Sequence, residues 1–308
     1  MSPSPFPAPV SHSMEALPAS SPLRELYPED TYSGGGYFPS PYGRTKYWIN
    51  GPEGGQKVVL IHGISVPAIA FQKLVPILVK EGLQVLIYDL PGRGYSEAPK
   101  LSAYDAELYV VHLALLLQYI KWDKADIVGY SMGGAVAAAF TATFPHLVAD
   151  NVTLLASAGL YKAHEDDSGE WDAAINDIKP EPEQNPEVSA EAGKLSLKLR
   201  ELQWEYLPGA KNAFKTSLSS GVIGGLRATF ETLGNTSTKR FLVIHGTADK
   251  IVPYREAHKI NKLVPQAKLV LIKGASHALP FEEGTLEKVA DELVPFVTGA
   301  EGRHSKYR

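Results

Sequence analysis

The sequence of 308 residues contains no cysteine, which excludes disulfide bridges, zinc thiolate sites and thiol nucleophiles. It also has no large excess of charge of one sign, because 30 basic and 34 acidic residues give a formal net charge of −4. A basic stripe for nucleic acid is therefore missing, and a small uncharged ligand fits better. The hydrophobic content of 44% is sufficient for a large buried core. We expect a globular protein that acts on a small molecule.

The sequence also lacks a long apolar run. The longest one, Tyr109 to Ile120, is too short to span a bilayer and contains His112 and Gln118. The first 21 residues are rich in proline and serine and have no apolar segment of a secretory signal. We predict a disordered arm for residues 1–21, a flexible tail for residues 301–308, no stable membrane anchor and a cytoplasmic location.

Short apolar runs alternate with helical patterns along most of the chain, which is typical of βαβ units and a mostly parallel sheet. The clearest helical patterns cover Ala106 to Tyr119 and Met132 to Thr143. Nearly continuous apolar runs, typical of strands buried on both faces, occur at Lys57 to Ile61, Gln84 to Tyr88, Ala125 to Val128, Asn151 to Ala156, Arg240 to Ile244 and Lys268 to Lys273. The predicted fold class is α/β.

The alternation stops between Leu160 and Lys239, where no convincing strand occurs. We interpret residues 160–239 as a cap inserted into a core made of residues 22–159 and 240–300. Within the cap, Glu165 to Glu191 is strongly acidic and contains three prolines, so it is expected to be solvated and to resist regular structure.

The strongest chemical signal is the run Gly129-Tyr130-Ser131-Met132-Gly133. It follows a predicted strand and opens a predicted helix, the context in which G-x-S-x-G indicates a nucleophile elbow. The turn is so tight that a side chain in place of either glycine would collide with the strand or the helix. Ser131 is therefore the candidate nucleophile.

A serine hydroxyl is a weak nucleophile and needs a base that is itself oriented by an acid. Two later strands end in turns that carry such groups, Asp249 and His277. Active sites of open parallel sheets lie beyond the carboxyl ends of the strands, so both groups are expected to meet Ser131 at one edge. The strand that ends at Ala156 is followed by no acid, which favours Asp249 as the orienting residue.

From about Lys57 to Val297 the sequence resembles the α/β-hydrolase superfamily. The resemblance is carried by the blocks VVLIHG, YDLPGRGYS, VGYSMGG, VIHGTADKIVP and GASHALPFEE in this order. It implies an α/β-hydrolase fold, with a mostly parallel central sheet flanked by helices and a helical cap insertion. It also implies the triad roles, namely nucleophile for Ser131, general base for His277 and orienting acid for Asp249. We expect no cofactor and no metal site.

The resemblance further implies two backbone donors for the oxyanion. One is the N–H of Met132, directly after the nucleophile. The other belongs to the loop that begins at His62, where we choose the N–H of Ile64 and keep Ser65 as the second choice. Elsewhere, structural roles are expected for His62, for His245 and for two residues of the loop after the second predicted strand, Asp89 and Arg93.

One apolar face of a predicted cap helix recurs at Leu195, Leu199, Leu202 and Tyr206. We expect part of this surface, together with the nearby Trp204, Phe214 and Leu218, to roof the pocket above Ser131. The alternative, that the stripe only packs the cap onto the body, remains open.

The leading interpretation is a serine hydrolase that cleaves a carboxylic ester of an uncharged, fairly hydrophobic small-molecule substrate through an acyl-enzyme. Hydrolysis of a carbon–carbon bond beside a ketone is one alternative, although the loop after His62 and Gly63 lacks the glycine and proline pattern of such relatives. The other alternative is a ligand receptor with little turnover. Ser131 argues against the epoxide hydrolases and dehalogenases of this fold, which need a carboxylate nucleophile.

Overall fold

A computed structural model describes residues 6–161 and 173–300. The predicted tail, residues 301–308, lies outside the described residues. The strands are β1 (Val10–Ser11), β2 (Gly35–Ser40), β3 (Gly43–Asn50), β4 (Gln56–Ile61), β5 (Leu83–Tyr88), β6 (Ala98–Pro99), β7 (Ala125–Tyr130), β8 (Val148–Leu155), β9 (Arg240–Gly246) and β10 (Lys268–Ile272). The helices are α1 (Pro22–Leu26), α2 (Leu74–Lys80), α3 (Ala106–Tyr119), α4 (Met132–Thr143), α5 (Ala173–Asn176), α6 (Pro186–Tyr206), α7 (Ala210–Ser219), α8 (Arg227–Thr236), α9 (Arg255–Leu263) and α10 (Leu286–Thr298).

The central sheet of this part of the chain has eight strands in the order β10-β9-β8-β7-β4-β5-β3-β2. All pairs from β10 to β5 are parallel, whereas β3 and β2 are antiparallel to their neighbours. All six predicted strands are present, and they are the six parallel ones. The predicted α/β fold with a mostly parallel sheet flanked by helices is confirmed.

Alternate residues of β4 enter two separate apolar clusters on opposite faces of the sheet. Val59 and Ile61 pack with residues of α3 and α4, while Val58 and Leu60 pack with residues of α2 and α10. Because helices cover both faces, each of these four side chains is fully buried. This two-sided burial explains why the inner parallel strands are continuous apolar runs. The expectation of burial on both faces is wrong for Lys268 to Lys273, because β10 lies at the edge of the sheet and Leu271 is 37% exposed.

The hairpin of β2 and β3 is absent from the sequence prediction. Gly35, Gly36 and Pro39 weaken the strand signal of β2, and proline is tolerated there because β2 lies at the edge of the sheet. The aromatic and β-branched residues of β3, such as Trp48 and Ile49, are the signal that could have revealed it.

The prediction of a disordered arm at residues 1–21 is wrong for the described residues 6–21. β1 pairs with β6, and Met14 is fully buried. Two serines of this segment, Ser13 and Ser21, act as helix caps, and the Ser21 hydroxyl accepts a hydrogen bond from the Arg24 N–H at 3.3 Å. Composition alone therefore misrepresents this segment, because its serines and prolines serve local turns and caps.

Between β8 and β9 the described chain is helical, with α5 to α8 forming the cap. The expectation that the acidic stretch from Glu165 to Glu191 resists regular structure is wrong in two places, because Ala173–Asn176 forms α5 and α6 begins at Pro186. Proline is favoured at the first position of a helix, where its missing N–H would have no partner within the helix. Within residues 6–161 and 173–300, no helix combines the length and apolar character needed to cross a membrane.

Candidate active site

Ser131 lies in the sharp turn between β7 and α4 with φ 56° and ψ −120°. This backbone conformation is uncommon for a residue other than glycine. A Cβ atom at Gly129 would lie 2.1 Å from the Gly133 carbonyl oxygen, and one at Gly133 would lie 2.0 Å from the Ile61 carbonyl oxygen. Both glycines are thus required by the packing, as the motif predicts.

The structure brings the three predicted residues together at the carboxyl ends of β7, β9 and β10. His277 Nε2 lies 3.0 Å from Ser131 Oγ, and His277 Nδ1 lies 2.7 Å from Asp249 Oδ2. With Nδ1 donating to the carboxylate, Nε2 is placed to accept the hydroxyl proton. The order of contacts is that of a nucleophile, a base and an orienting acid.

Asp249 is fully buried and well supplied with donors. Its Oδ1 accepts hydrogen bonds from the N–H groups of Ile251 and Val252 at 2.8 and 2.9 Å. Burial by itself raises the pKa of this carboxyl, but the electrostatic interaction with His277 and the hydrogen bonds from His245 and His277 outweigh it. The pKa of Asp249 consequently lies well below its usual range, and the side chain stays ionised beside His277.

The two predicted oxyanion donors flank Ser131. Met132 is the first residue of α4, where a backbone N–H has no acceptor within the helix. The loop that carries Ile64 passes so close that a Cβ atom at Gly63 would lie 3.2 Å from the Ser131 Cβ atom. Ile64 and Ser65 both line the cavity above Ser131. The assignment of Met132 and Ile64 as donors remains a prediction.

The loop after β5 has the structural role that the sequence indicates. Asp89 accepts from the N–H groups of Ala68 and Tyr95, both at 2.8 Å. Arg93 reaches into the cap, where its Nη2 donates to the Ala213 carbonyl oxygen at 3.2 Å. The loop thereby connects the core to α7.

His62 also has a structural role. Its Nδ1 donates to the Gly63 carbonyl oxygen at 2.7 Å, and its Nε2 accepts from the Leu90 N–H at 2.8 Å. Burial lowers the pKa of His62 to about 3, so the ring is neutral near pH 7. The two bonds tie the loop after β4 to the loop after β5 and occupy both ring nitrogens of His62.

Ser131 and His277 open onto a cavity of about 490 Å³. Its walls come from the core on one side and from α6 and α7 on the other. Most of its larger side chains are apolar, and these are Ile64, Val66, Tyr130, Leu197, Phe214, Leu218, Ile251 and Phe281. The polar side chains that line the cavity include Arg200 and the ion pair of Glu183 with Lys250, whose charged atoms lie 2.7 Å apart.

The expectation that the Leu195, Leu199, Leu202 and Tyr206 stripe roofs this cavity is wrong. Leu199 and Leu202 are buried in a core cluster, so the stripe packs the cap onto the body. Leu195 is 39% exposed and does not line the cavity. The most apolar face of α6 takes the body contact, because that contact removes the most apolar surface from water.

The roof is formed instead by an adjacent face of α6 with Gly193, Ser196, Leu197 and Arg200. Phe214 and Leu218 of α7 join it, as the sequence predicts, whereas Trp204 packs against Phe214 without lining the cavity. Sequence reasoning missed Arg200, because no pattern in α6 distinguishes the cavity face from a solvated face.

The model of the α/β-hydrolase fold family matches residues 57–284. The chain belongs to the α/β-hydrolase family. A 2-hydroxy-6-oxo-2,4-heptadienoate hydrolase of Pseudomonas putida is 25% identical over 250 residues, which cover 78% of this chain and 89% of the relative. A bifunctional esterase/perhydrolase of Acinetobacter calcoaceticus is 23% identical and covers 80% of this chain and 93% of the relative.

A solved structure supports the same fold. The meta-cleavage product hydrolase from Pseudomonas fluorescens IP01 superposes with a TM-score of 0.67 at 23% identity, covering 86% of this chain and 98% of the other. Hydrolases are thus prominent among the similar proteins, and this supports hydrolase activity without specifying the bond that is cleaved.

Proposed function

We propose that this protein is a serine hydrolase that cleaves a carboxylic ester of a small, fairly hydrophobic molecule. The observation that carries the proposal is the chain of contacts from Ser131 Oγ through His277 to Asp249, which opens onto a largely apolar cavity. No cofactor is required for this chemistry. The similarity to an esterase/perhydrolase supports the same reaction class.

In the proposed mechanism, Ser131 Oγ attacks the ester carbonyl carbon while His277 Nε2 takes the hydroxyl proton. Negative charge on the carbonyl oxygen is stabilised by the N–H groups of Met132 and Ile64. The tetrahedral intermediate expels the alcohol, which receives the proton from His277. Water, deprotonated by His277, then attacks the acyl-enzyme, and breakdown of the second intermediate returns the proton to Ser131 and releases the acid.

The proposal is tested by fluorophosphonate labelling followed by turnover of 4-nitrophenyl esters from acetate to octanoate. Labelling at Ser131 together with multiple turnovers is the expected result. Labelling with no more than one turnover would instead favour a ligand receptor that becomes acylated and stays so. Absence of labelling would overturn the role of Ser131.

A second candidate, hydrolysis of a carbon–carbon bond beside a ketone, is favoured by Arg200. Arg200 lines the cavity, and its Nε is buried without a hydrogen-bond partner among the described residues. It stacks on the rings of Trp204 and Phe214 at 5.2 and 5.8 Å. Such a cation matches a substrate carboxylate, and the Pseudomonas putida relative is named for a dienoate.

Paired substrates separate the two candidates. A 2-hydroxy-6-oxo-2,4-dienoate and a 4-nitrophenyl ester of similar size are compared with wild-type protein and with Arg200→Met, which keeps the length of the side chain and removes its charge. An ester hydrolase turns over the nitrophenyl ester faster, and Arg200→Met leaves that rate largely unchanged. Faster cleavage of the dienoate, lost in Arg200→Met, would replace the ester proposal by the second candidate.

A further inference from the structure

Glu282 is a buried carboxylate that lies outside the triad and accepts hydrogen bonds from three hydroxyl groups. It is 3% exposed. Its Oε2 accepts from Ser276 and, at 3.2 Å, from Ser189, and its Oε1 accepts from Thr285 at 3.1 Å. The three donors belong to different parts of the fold, namely the loop after β10, helix α6 of the cap and the residue before α10.

The first of these contacts acts directly beside His277. The Ser276 hydroxyl donates to Glu282 and accepts from the Ala278 N–H at 3.2 Å, so one hydroxyl fixes the residues on both sides of His277. The Glu282 N–H in turn donates to the Ala278 carbonyl oxygen at 2.9 Å. The direction in which the imidazole points is thus tied to the position of the Glu282 carboxylate.

The contact with Ser189 brings the cap into the same network. Ser189 lies in the first turn of α6 and is buried at the edge of the cavity. The segment before α6 also rests on the loops that carry the acid and the base. The Glu181 N–H donates to the Thr247 carbonyl oxygen and the Gln184 N–H donates to the Gly274 carbonyl oxygen, both at 2.8 Å.

We propose that Glu282 is a positioning residue that couples the docking of α6, through Ser189, to the placement of His277. The inference rests on the proposed serine hydrolase function, because it requires His277 to be the base. When α6 is docked, Ser189 and Ser276 both donate to Oε2. The loop then keeps His277 Nε2 within hydrogen-bond distance of Ser131 Oγ, at 3.0 Å. Displacement of α6 removes one donor and leaves the carboxylate free to draw Ser276 away.

The test compares Ser189→Ala and Glu282→Gln with Ser219→Ala in the full chain. Ser219 is a matched control, because it is an exposed serine of the cap whose hydroxyl, within the described part of the chain, bonds only to its own helix, at the Lys215 and Thr216 carbonyl oxygens. Two rates are measured: the second-order rate of phosphonylation by a small fluorophosphonate, and kcat with KM for 4-nitrophenyl butyrate. Circular dichroism and Tm establish that each variant is folded.

We expect Glu282→Gln to lower both the phosphonylation rate and kcat by about tenfold, and Ser189→Ala to lower them by about threefold, with KM nearly unchanged. A double variant that combines Ser189→Ala with Glu282→Gln should be no slower than Glu282→Gln alone, since Ser189 acts through Glu282. Ser219→Ala should behave as wild type. If Glu282→Gln does not fold, Ser276→Ala takes its place, with Ser276→Thr expected to restore the rates.

A Ser189→Ala variant with the rates of Ser219→Ala, or one that only raises KM or lowers Tm, would overturn the coupling. Failure of the ester proposal gives a different pattern. Wild-type protein that reacts with the fluorophosphonate but turns over no ester would refute the ester substrate alone, because the phosphonylation rates of the variants still measure the coupling.

Discussion

His245 Nε2 lies 3.2 Å from Asp249 Oδ2, the same oxygen that His277 Nδ1 approaches at 2.7 Å. The His245 ring is fully buried, and its Nε2 also lies 2.8 Å from the Val252 carbonyl oxygen. Two histidines therefore converge on one carboxylate, and only His277 reaches Ser131. His245 closes the turn after β9, as expected from the sequence, and it also contacts Asp249, which the sequence does not indicate.

We predict that His245→Phe lowers kcat/KM for esters by about tenfold, the effect of losing one hydrogen bond to a charged group. His245→Gln can place an amide N–H where Nε2 was, so most of the activity should remain. The comparison is made at a temperature where both variants are folded by circular dichroism. Equal activity in the two variants would show that the contact does not serve catalysis.

Ser131→Ala should lower ester turnover by about 10⁴-fold or more, because removal of a triad nucleophile leaves only binding and oxyanion contacts. Fluorophosphonate labelling should vanish at the same time. The measurement is a single-turnover assay with Ser219→Ala as the control substitution. More than a tenth of the wild-type activity in Ser131→Ala would refute the nucleophile assignment.

Asp249→Asn should lower turnover by about 10⁴-fold, because the amide favours the wrong tautomer of His277. Glu256→Gln offers a comparison, since Glu256 is a buried acid that pairs with Lys259 at 3.1 Å, away from Ser131. Rates are measured at pH 7 with folded protein. A loss in Asp249→Asn no larger than that in Glu256→Gln would contradict the role of Asp249.

The apolar roof predicts that kcat/KM rises from acetate to hexanoate esters. Each buried methylene should lower the activation free energy for kcat/KM by at most about 0.8 kcal/mol. Leu197 and Leu195 lie on the same helix and are 44% and 39% exposed, but only Leu197 lines the cavity. Leu197→Ala should therefore reduce the hexanoate preference several-fold, and Leu195→Ala should leave it unchanged. A steady fall in kcat/KM beyond acetate would exclude the apolar acyl site.

Stability should depend on pH through His112. Its ring is fully buried, its Nε2 bonds to Thr45 Oγ1 at 2.7 Å, and burial lowers its pKa from 6.5 to about 3. Below pH 6.5 the unfolded chain binds a proton at His112, whereas the folded state does not bind it until the pH approaches 3. The contribution of neutral His112 to the free energy of unfolding is therefore complete above pH 6.5 and is lost as the pH falls toward 3.

Urea unfolding at pH 7.5 and 5.0 measures this effect against His112→Gln, which cannot titrate. From pH 7.5 to 5.0 the wild type should lose about 2 kcal/mol more unfolding free energy than the variant. Other titrating groups, including His62, are present in both proteins and cancel in the difference. The same pH dependence in both would mean that His112 is charged inside the fold.

The sequence was sufficient for the parts of the molecule that local rules determine. The tight turn at Ser131 requires glycine two residues before it and two residues after it, and the strands that end before Asp249 and His277 are short apolar runs, so their patterns are explicit. The proximity of Ser131, Asp249 and His277 could be predicted because parallel strands end at one edge of a sheet.

The remaining features depend on how separate elements dock, and no local pattern encodes that. The same helix α6 offers Leu199 to the body and Leu197 to the cavity, and the choice follows from its rotation against the core. Glu282 likewise resembles an ordinary surface acid in the sequence, since its three hydroxyl donors come from residues as distant as Ser189. The edge strand β2 is hidden by its glycines and Pro39.

The start of the chain takes part in holding the roof. Val10–Ser11 pairs with Ala98–Pro99, and Gly209, the residue before α7, lies so close to Ala98 that an added Cβ atom would be 2.1 Å from the Ala98 Cβ. The arm therefore packs against β6, and both lie against the residue that precedes the cap helix α7. A fragment cut at residue 22, where composition alone suggests a boundary, would lose β1, so the packing at the start of the roof helix α7 depends in part on residues far from Ser131 in the sequence.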